Sequence, residues 1–254
     1  MHVSSQEAPD RFWDVYSRYY DSIYALMPYR KLLWDTYQAL ELEPGMRILD
    51  AGCGTGNLEV FIAEKDSPAV EFDAIDFSPA MLARASRKCE GMRNVQFQRA
   101  DLTSTLPFPD ATFDRIVSVN VLYALPDWDH TMRELLRVLK PNGRLVLTSP
   151  TPEFRIGPLI ADHFRRVRNV WGAGRKAGVV ANTLLTLSTS GFGSIVLNQI
   201  INRREGDGQY RSPDLADWDG LLERHIGSAP GGFDIVPALA NQNFLATAMK
   251  ARMT

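Results

Sequence analysis

Residues 48–57 read Ile-Leu-Asp-Ala-Gly-Cys-Gly-Thr-Gly-Asn, an apolar run that ends in an aspartate and a glycine-rich loop. A strand that passes through such a loop into a helix is typical of nucleotide-binding α/β folds, because glycine lets the backbone turn tightly and approach a ligand. The spacing Gly52-x-Gly54-x-Gly56 puts Asn57 where a dinucleotide-binding loop has its third glycine. No lysine follows as in a phosphate-binding Gly-Lys-Ser/Thr loop. The loop therefore disfavours a dehydrogenase and a nucleoside triphosphatase.

Short apolar segments alternate with helical patterns around this loop. Ser78 followed by Pro79 predicts the start of one helix, and Pro141-Asn142-Gly143 is expected to end another and turn into a strand. Strands separated by helices form parallel sheets, so we predict a Rossmann-like, doubly wound, mostly parallel seven-stranded sheet. The predicted strands are 47–50, 70–75, 95–99, 115–119, 144–148, 233–239 and 243–250.

The 254-residue chain is expected to form one α/β domain with additions at two places. The pattern predicts an N-terminal helical lid over 1–40 and a ligand-binding core over 41–150. A helical insertion over 151–211 follows the fifth strand and is expected to cap the substrate. Residues 212–254 are expected to add a helix and a strand pair that complete the core.

Three aspartates follow predicted strands. Asp50 directly precedes the loop, where a carboxylate would repel a pyrophosphate but suits the ammonium and sulfonium groups of S-adenosylmethionine. Asp76 lies twenty residues after Gly56, where an acidic residue binds ribose hydroxyls in many dinucleotide-binding folds. Asp101 follows the third strand and can accept a hydrogen bond from an adenine amino group. A doubly wound sheet would gather all three along one crevice, although each aspartate alone is equally typical of a cap or turn.

The sequence resembles the class I methyltransferases, and more closely their ubiquinone/menaquinone-biosynthesis branch. The lead-in Tyr19-Tyr20-Asp21 is similar to the helix that closes over the cofactor in that branch. The matching stretches are Leu49–Gly56, Asp76–Leu82, Asp101–Leu102, Leu106–Asp114, Asn120–Leu122 and Leu136–Leu145. The resemblance implies a methyltransferase that uses S-adenosylmethionine, releases S-adenosylhomocysteine and acts on a small-molecule acceptor.

The resemblance also implies roles for individual residues. The three loop glycines and the Asn120 backbone would lie near the methionine half of the cofactor, with Asp50 binding its amino group and Asp76 its ribose hydroxyls. A second set would surround the adenine or close the site, namely Phe77 and Met81 against the ring, Asp101 and Leu102 at its edge, and Tyr20 in the lid.

Composition excludes several other classes. A formal net charge of −2 provides no general positive field for nucleic acid. Two cysteines, Cys53 and Cys89, are too few for a disulfide framework or a thiolate zinc site, and no metal is expected. No signal-peptide pattern and no apolar run of about 18 residues is present, so a cytoplasmic protein without an integral membrane segment is expected.

A catalytic base is not evident from the sequence. Methyl transfer needs mainly alignment of nucleophile, methyl and sulfur, and a base only for some acceptors. His163 in the insertion and Tyr123 after the fourth strand are the candidates, each with a packing role as the alternative. The apolar stretches 179–187 and 195–201 favour an apolar or aromatic acceptor, or else a homodimer interface.

A non-methylating rearrangement or cyclisation and a non-catalytic binding protein remain alternative functions on the same scaffold.

Overall fold

The fold is that of a computed structural model, which describes residues 7–65, 68–170, 172–186, 211–227 and 232–251. The helices in these ranges are α1 (Glu7–Tyr20), α2 (Met27–Leu40), α3 (Asn57–Ala63), α4 (Pro79–Lys88), α5 (Trp128–Val138), α6 (Ile156–Arg168), α7 (Ala173–Thr186) and α8 (Leu215–Ile226). The strands are β1 (Arg47–Ala51), β2 (Glu71–Asp76), β3 (Val95–Arg99), β4 (Phe113–Val119), β5 (Leu139–Pro150), β6 (Phe233–Ala238) and β7 (Asn243–Met249). The predicted stretch 195–201 lies outside the described residues.

The seven strands form one sheet in the order β3-β2-β1-β4-β5-β7-β6. Strands β1 to β5 are parallel to one another, whereas β7 runs antiparallel to both β5 and β6. The chain winds outward from β1 in one direction and then from β4 in the other. The predicted fold class is therefore confirmed, and the crevice expected at such a reversal lies between the carboxyl ends of β1 and β4.

Helices cover both faces of the sheet. On one face, Trp218 and Leu221 of α8 and Met132 of α5 pack into a core with Leu49. On the other face, side chains of α2, α3 and α6 pack with Ile48, Val117 and Val146. Neighbouring residues of a strand point to opposite faces of the sheet. Ile48 of β1 therefore packs into the second core and Leu49 into the first.

Local sequence explains where several helices begin. The Ser78 hydroxyl accepts a hydrogen bond from the Met81 amide at 3.3 Å, and Pro79 stands at the first position of α4, as predicted. The Asp127 carboxylate caps α5 by accepting from the His130 amide at 2.9 Å. These caps fix where the chain leaves β2 and the loop after β4, and hence where the neighbouring site residues stand.

The predicted turn at Pro141-Asn142-Gly143 lies within β5 rather than before it, because α5 ends at Val138 and the strand begins at Leu139, with a shift in its pairing with β4 before Arg144. Asn142 takes a left-handed conformation with φ of +60° and donates its amide to the carbonyl of Lys250 at 2.9 Å. The Lys250 amide donates in turn to Gly143 at 3.0 Å. Pairing with the end of the chain therefore draws this segment into the sheet, a long-range effect that local turn propensity does not contain.

The described part of the insertion consists of α6 and α7. Leu159 of α6 packs into the same core as α2, so the insertion is anchored to the sheet domain rather than separate from it. Among the residues that the structure describes, no helix combines the length and apolar character needed to cross a bilayer.

Candidate functional site

The carboxyl ends of adjacent strands bring the predicted polar residues to one edge of the sheet. Asp50 lies near the end of β1 and Asp76 ends β2, while Asp101 follows β3 and Asn120 follows β4. These strands are neighbours in the order β3-β2-β1-β4. Asp50 is buried and Asp76 half-buried, whereas Asp101 is exposed. The edge thus has an inner acidic part near the glycine loop and an outer part open to solvent.

The glycine loop is anchored to β2 through its backbone. The amides of Gly52 and Cys53 both donate to the carbonyl of Ile75, at 2.8 and 2.9 Å. Gly52 has φ of +87°, and a Cβ built there would lie 2.4 Å from Cγ2 of Val121. Gly56 has φ of +77° and forms the N-terminal cap of α3. Glycine is therefore required at Gly52 both by backbone conformation and by the close approach of Val121.

Asp76 links the loop to the start of α4. Its Oδ2 accepts from the Gly54 amide at 3.0 Å and its Oδ1 from the Ser78 amide at 2.9 Å. Burial raises the pKa of this carboxyl to about 6, although the backbone donors favour the charged form. Each carboxylate oxygen can accept a further hydrogen bond, so Asp76 can bind a vicinal pair of hydroxyls while holding the loop.

A second buried acid, Glu59, was missed by the sequence analysis. It lies at the third position of α3, directly beneath the loop, and both Glu59 and Asp50 are 2% exposed. Oδ1 of Asp50 and both Oε atoms of Glu59 have no hydrogen-bond partner among the described residues. An acidic residue within the apolar run Leu58-Glu-Val-Phe-Ile62 was the sequence signal that could have revealed this pair.

Burial is the main influence on the ionisation of this pair. It raises the pKa of Glu59 to about 7, and burial followed by the charge of Glu59 raises that of Asp50 well above its usual range. Lys88 opposes the effect at Glu59 through its charge. Its ammonium, however, donates to Asp21 at 2.5 Å, to Thr55 at 3.1 Å and to Asn57 at 2.7 Å. All three donors of Lys88 are thus used elsewhere.

The raised pKa of Glu59 predicts that stability falls with increasing pH. A folded-state pKa of about 7 lies above the ordinary 4.5, so its stabilising contribution is lost as the pH rises from about 5 to 8. We expect the loss to be on the order of 3 kcal/mol, since each unit is worth about 1.4 kcal/mol. Glu59→Gln should flatten this part of the profile, measured by urea unfolding at several pH values.

The comparison of wild type with Glu59→Gln isolates this contribution from other titrations. Burial lowers the pKa of His163, which makes stability rise with pH near neutrality. This contribution is the same in both proteins and therefore cancels in the comparison. Glu64→Gln is the matched control, because Glu64 ends the same helix but lies near the surface with Arg30 at 2.7 Å. Equal pH profiles for wild type and Glu59→Gln would contradict the assignment.

Helix α1 covers the outer part of the site with aromatic side chains. Phe12 and Tyr16 pack with Met81 and Tyr123 in one cluster. The rings of Trp13 and Phe77 lie edge to face, with centroids 6.3 Å apart. Phe77 and Met81, the predicted adenine contacts, are therefore in contact with α1 in this structure.

The predicted lid residue Tyr20 lies against the loop at the end of α1. Its Cε1 is 3.6 Å from where a Cβ of Gly54 would be, and its hydroxyl lies 3.4 Å from that of Tyr29. Burial and the neighbouring Tyr29 raise the pKa of Tyr20 well above its usual range. Tyr20 is thus a neutral hydrogen-bonding group placed above the glycine loop.

The remaining predicted cofactor contacts occupy different surroundings. Asp101 forms a turn, with its Oδ1 accepting from the amide and hydroxyl of Thr103 at 2.8 Å. The Leu102 side chain packs into the core beneath the sheet edge. Asn120 has φ of +59°, and its Oδ1 accepts from Thr148 at 3.1 Å and Asn243 at 2.6 Å. These side chains shape the edge of the site, and their predicted contacts with a cofactor stay predictions.

Both ring nitrogens of His163 are hydrogen-bonded within the protein, and the side chain has no exposed surface. The Met27 amide donates to Nδ1 at 3.1 Å, so the proton of the neutral ring lies on Nε2. Nε2 then donates to the Thr183 hydroxyl at 3.0 Å, which itself donates to the Val179 carbonyl at 2.8 Å. His163 thus joins the start of α2 to α7, and a role as base stays a prediction.

His163→Ala is expected to destabilise the protein by about 2–4 kcal/mol, because it leaves a cavity and an unpaired buried donor. Binding of S-adenosylmethionine should change less than threefold. Thermal unfolding and calorimetric titration measure the two effects separately. Full stability together with lost turnover would instead favour the predicted catalytic role.

Comparison with known proteins adds an independent observation. Residues 42–199 match a protein family described as a methyltransferase domain. The chain is 31% identical over 179 residues to demethylmenaquinone methyltransferase from Geobacillus kaustophilus, covering 68% of this chain and 76% of that protein. It is 40% identical over 132 residues to the enzyme of the same name from Thermus thermophilus, covering 51% of this chain and 59% of that protein.

The fold is also similar to solved structures. A S-adenosylmethionine-dependent methyltransferase from Aquifex aeolicus superposes with a TM-score of 0.55 at 18% identity, covering 90% of this chain and 92% of that one. At this identity the likeness concerns the fold alone. The family match and the two curated relatives carry methyltransferase names, so the alternatives of a rearrangement, a cyclisation or a non-catalytic scaffold are not favoured.

Proposed function

The chain belongs to the class I S-adenosylmethionine-dependent methyltransferases of the quinone-biosynthesis type, and on this basis we propose that it methylates an apolar, quinone-like or aromatic small molecule. The observation that supports the proposal is that a glycine loop, the buried Asp50 and the half-buried Asp76 lie at one edge of the sheet. The names of the curated relatives indicate demethylmenaquinone as the first acceptor to test.

The residues at this edge fit S-adenosylmethionine. Oδ1 of Asp50 is a buried acceptor without a partner among the described residues, which suits the cationic amino group. Asp76 retains acceptor capacity beside the Gly54 and Ser78 amides, which suits the ribose hydroxyls. The glycine loop would line the methionine portion, and Phe77 and Met81 would flank the adenine.

The protein's own contribution to methyl transfer is mainly positional. When bound, S-adenosylmethionine supplies an electrophilic methyl group. Asp50, Asp76 and the loop would hold the cofactor at a fixed distance from the acceptor, and the aromatic side chains of α1 would exclude water. The ring of Tyr123 packs with Phe12 and Tyr16 beside this edge. Among the residues that the structure describes, Tyr123 is our candidate for contact with the acceptor.

Helix α1 would act as the lid of the site. Its aromatic side chains contact Phe77 and Met81, so entry of an adenine between these groups requires α1 to move. We expect binding of S-adenosylmethionine to change the tryptophan fluorescence through Trp13. Trp13→Phe should remove most of this change, while Trp34→Phe, a control on α2, should retain it. A change that survives in Trp13→Phe would contradict this placement of the adenine.

The test of the proposed activity is acceptor-dependent formation of S-adenosylhomocysteine. Purified protein is incubated with S-adenosylmethionine and demethylmenaquinone, and the mass of the quinone product is measured. An increase of one methyl group, with one S-adenosylhomocysteine per product, would support the proposal. Turnover with a simple phenol but not with the quinone would retain methyl transfer and overturn the quinone-like acceptor.

A further inference from the structure

Asp50 and Glu59 form a carboxyl pair that requires a proton. Both side chains are almost fully buried, and Oδ1 of Asp50 and both Oε atoms of Glu59 accept no hydrogen bond from the described residues. The charge of Glu59 acts on Asp50. Carboxylates have no donor, so a hydrogen bond between them exists only when one of them is protonated. Two adjacent buried carboxyls also repel each other when both are charged. Burial of two neighbouring carboxyls without a donor therefore favours a pair that carries one negative charge rather than two.

The surrounding groups do not supply a compensating donor. Lys88 of α4 uses its three donors on Asp21, Thr55 and Asn57 and acts on the pair only through its charge. Asp76 of β2 adds repulsion to Asp50. The other titratable groups facing the pair are Cys53 in the loop, Cys89 after α4 and Tyr29 of α2, all neutral near pH 7 because burial raises their pKa values.

We propose that Asp50 and Glu59 share one proton in the ligand-free protein and release it when S-adenosylmethionine binds, with Glu59 acting through Asp50 as a positioning residue. The inference rests on the proposed function, because the ligand's ammonium group is taken to lie beside Asp50. A cation at that position favours the doubly ionised pair. The only bond that breaks is one carboxyl O–H bond, and the proton passes to solvent.

Glu59 thereby makes cofactor binding dependent on pH. Linkage requires that affinity rise with pH wherever binding releases a proton, by tenfold per unit for one full proton. Burial raises the pKa of Glu59 to about 7, and burial together with the charge of Glu59 raises that of Asp50 well above its usual range, so the rise in affinity should extend through neutral pH. Burial raises the pKa of Asp76 to about 6, so its titration contributes at lower pH.

The test is calorimetric titration of the full-length protein with S-adenosylmethionine between pH 6 and 8.5. Each titration is repeated in two buffers of different ionisation enthalpy, which gives the number of protons released. Wild type is compared with Glu59→Gln, a neutral side chain that can donate to Asp50, and with the control Glu64→Gln. The amino group of the free ligand titrates near pH 8, but it does so equally for all three proteins.

We expect wild type and Glu64→Gln to release close to one proton near pH 6.5, and Glu59→Gln to release less than a third of that. The affinity of Glu59→Gln should vary less than threefold between pH 6 and 7.5, whereas that of wild type should vary at least about eightfold. Equal proton counts for wild type and Glu59→Gln would overturn the inference. So would zero release by wild type, a result that holds even if the variant fails to fold. Absence of binding by folded wild type at every pH would instead overturn the proposed function itself.

Discussion

Asp76→Ala is expected to weaken binding of S-adenosylmethionine at least 100-fold. In the proposed complex the Asp76 carboxylate accepts two ribose hydroxyls, and hydrogen bonds to a charged group are worth about 1.5–3 kcal/mol each. The same substitution removes the acceptor for the Gly54 and Ser78 amides, so the loop itself loses a fixed contact. Calorimetric titration at pH 8, well above the pKa of about 6 to which burial raises Asp76, measures the loss.

A matched variant separates cofactor binding from general destabilisation. Asp73 belongs to the same strand and forms a salt bridge at 2.7 Å with Arg47, which begins β1, whereas the loop follows the end of that strand. Asp73→Ala should lower thermal stability while changing cofactor affinity less than threefold. Retention of full affinity by a folded Asp76→Ala protein would show that the ribose is not bound at this residue.

Gly52→Ala is expected to destabilise the protein by about 2–5 kcal/mol. A left-handed conformation costs a non-glycine residue roughly 1–2 kcal/mol, and forcing an extra methyl into a packed site about 1–3 kcal/mol. Both terms apply at Gly52, where φ is +87° and the new Cβ would lie 2.4 Å from Val121. Urea unfolding of purified variants measures the difference.

Two further variants divide this effect into its parts. Gly45 has φ of +82° with no atom within 4 Å of a built Cβ, so Gly45→Ala should show the conformational cost alone. The double variant Gly52→Ala/Val121→Ala should recover the steric part but not the conformational part. Equal losses of stability for Gly52→Ala and Gly45→Ala would mean that Val121 moves aside freely and that its packing against Gly52 is loose.

Most of the fold was predictable because the local patterns agree with one another. Six of the seven predicted strands match observed ones to within about two residues, since short apolar runs bounded by polar turns specify buried strands. The sequence did not predict that the turn at Pro141-Asn142-Gly143 lies within β5, because its backbone pairing with Lys250, more than one hundred residues away, competes with the local turn signal. That competition exists only once the C-terminal strand has joined the sheet.

The cofactor edge was predictable to a smaller extent. The sequence by itself determined the glycine loop and the spacing of Asp50, Asp76 and Asp101, because residues at strand ends meet at one edge of any doubly wound sheet. It also contained Glu59, but an acid in a helix is ordinary unless its surroundings are known.

Tertiary structure alone decided how each of these side chains is paired. It placed Glu59 against Asp50 without a free donor, and it enclosed His163 between Met27 and Thr183, which bonds both of its ring nitrogens. It also laid the aromatic residues of α1 on Phe77 and Met81. Burial and hydrogen-bond partners are properties of packing between distant segments, and they set the charge and the freedom of a side chain. The sequence determines which residues are present, whereas the folded structure determines their ionisation and their accessibility.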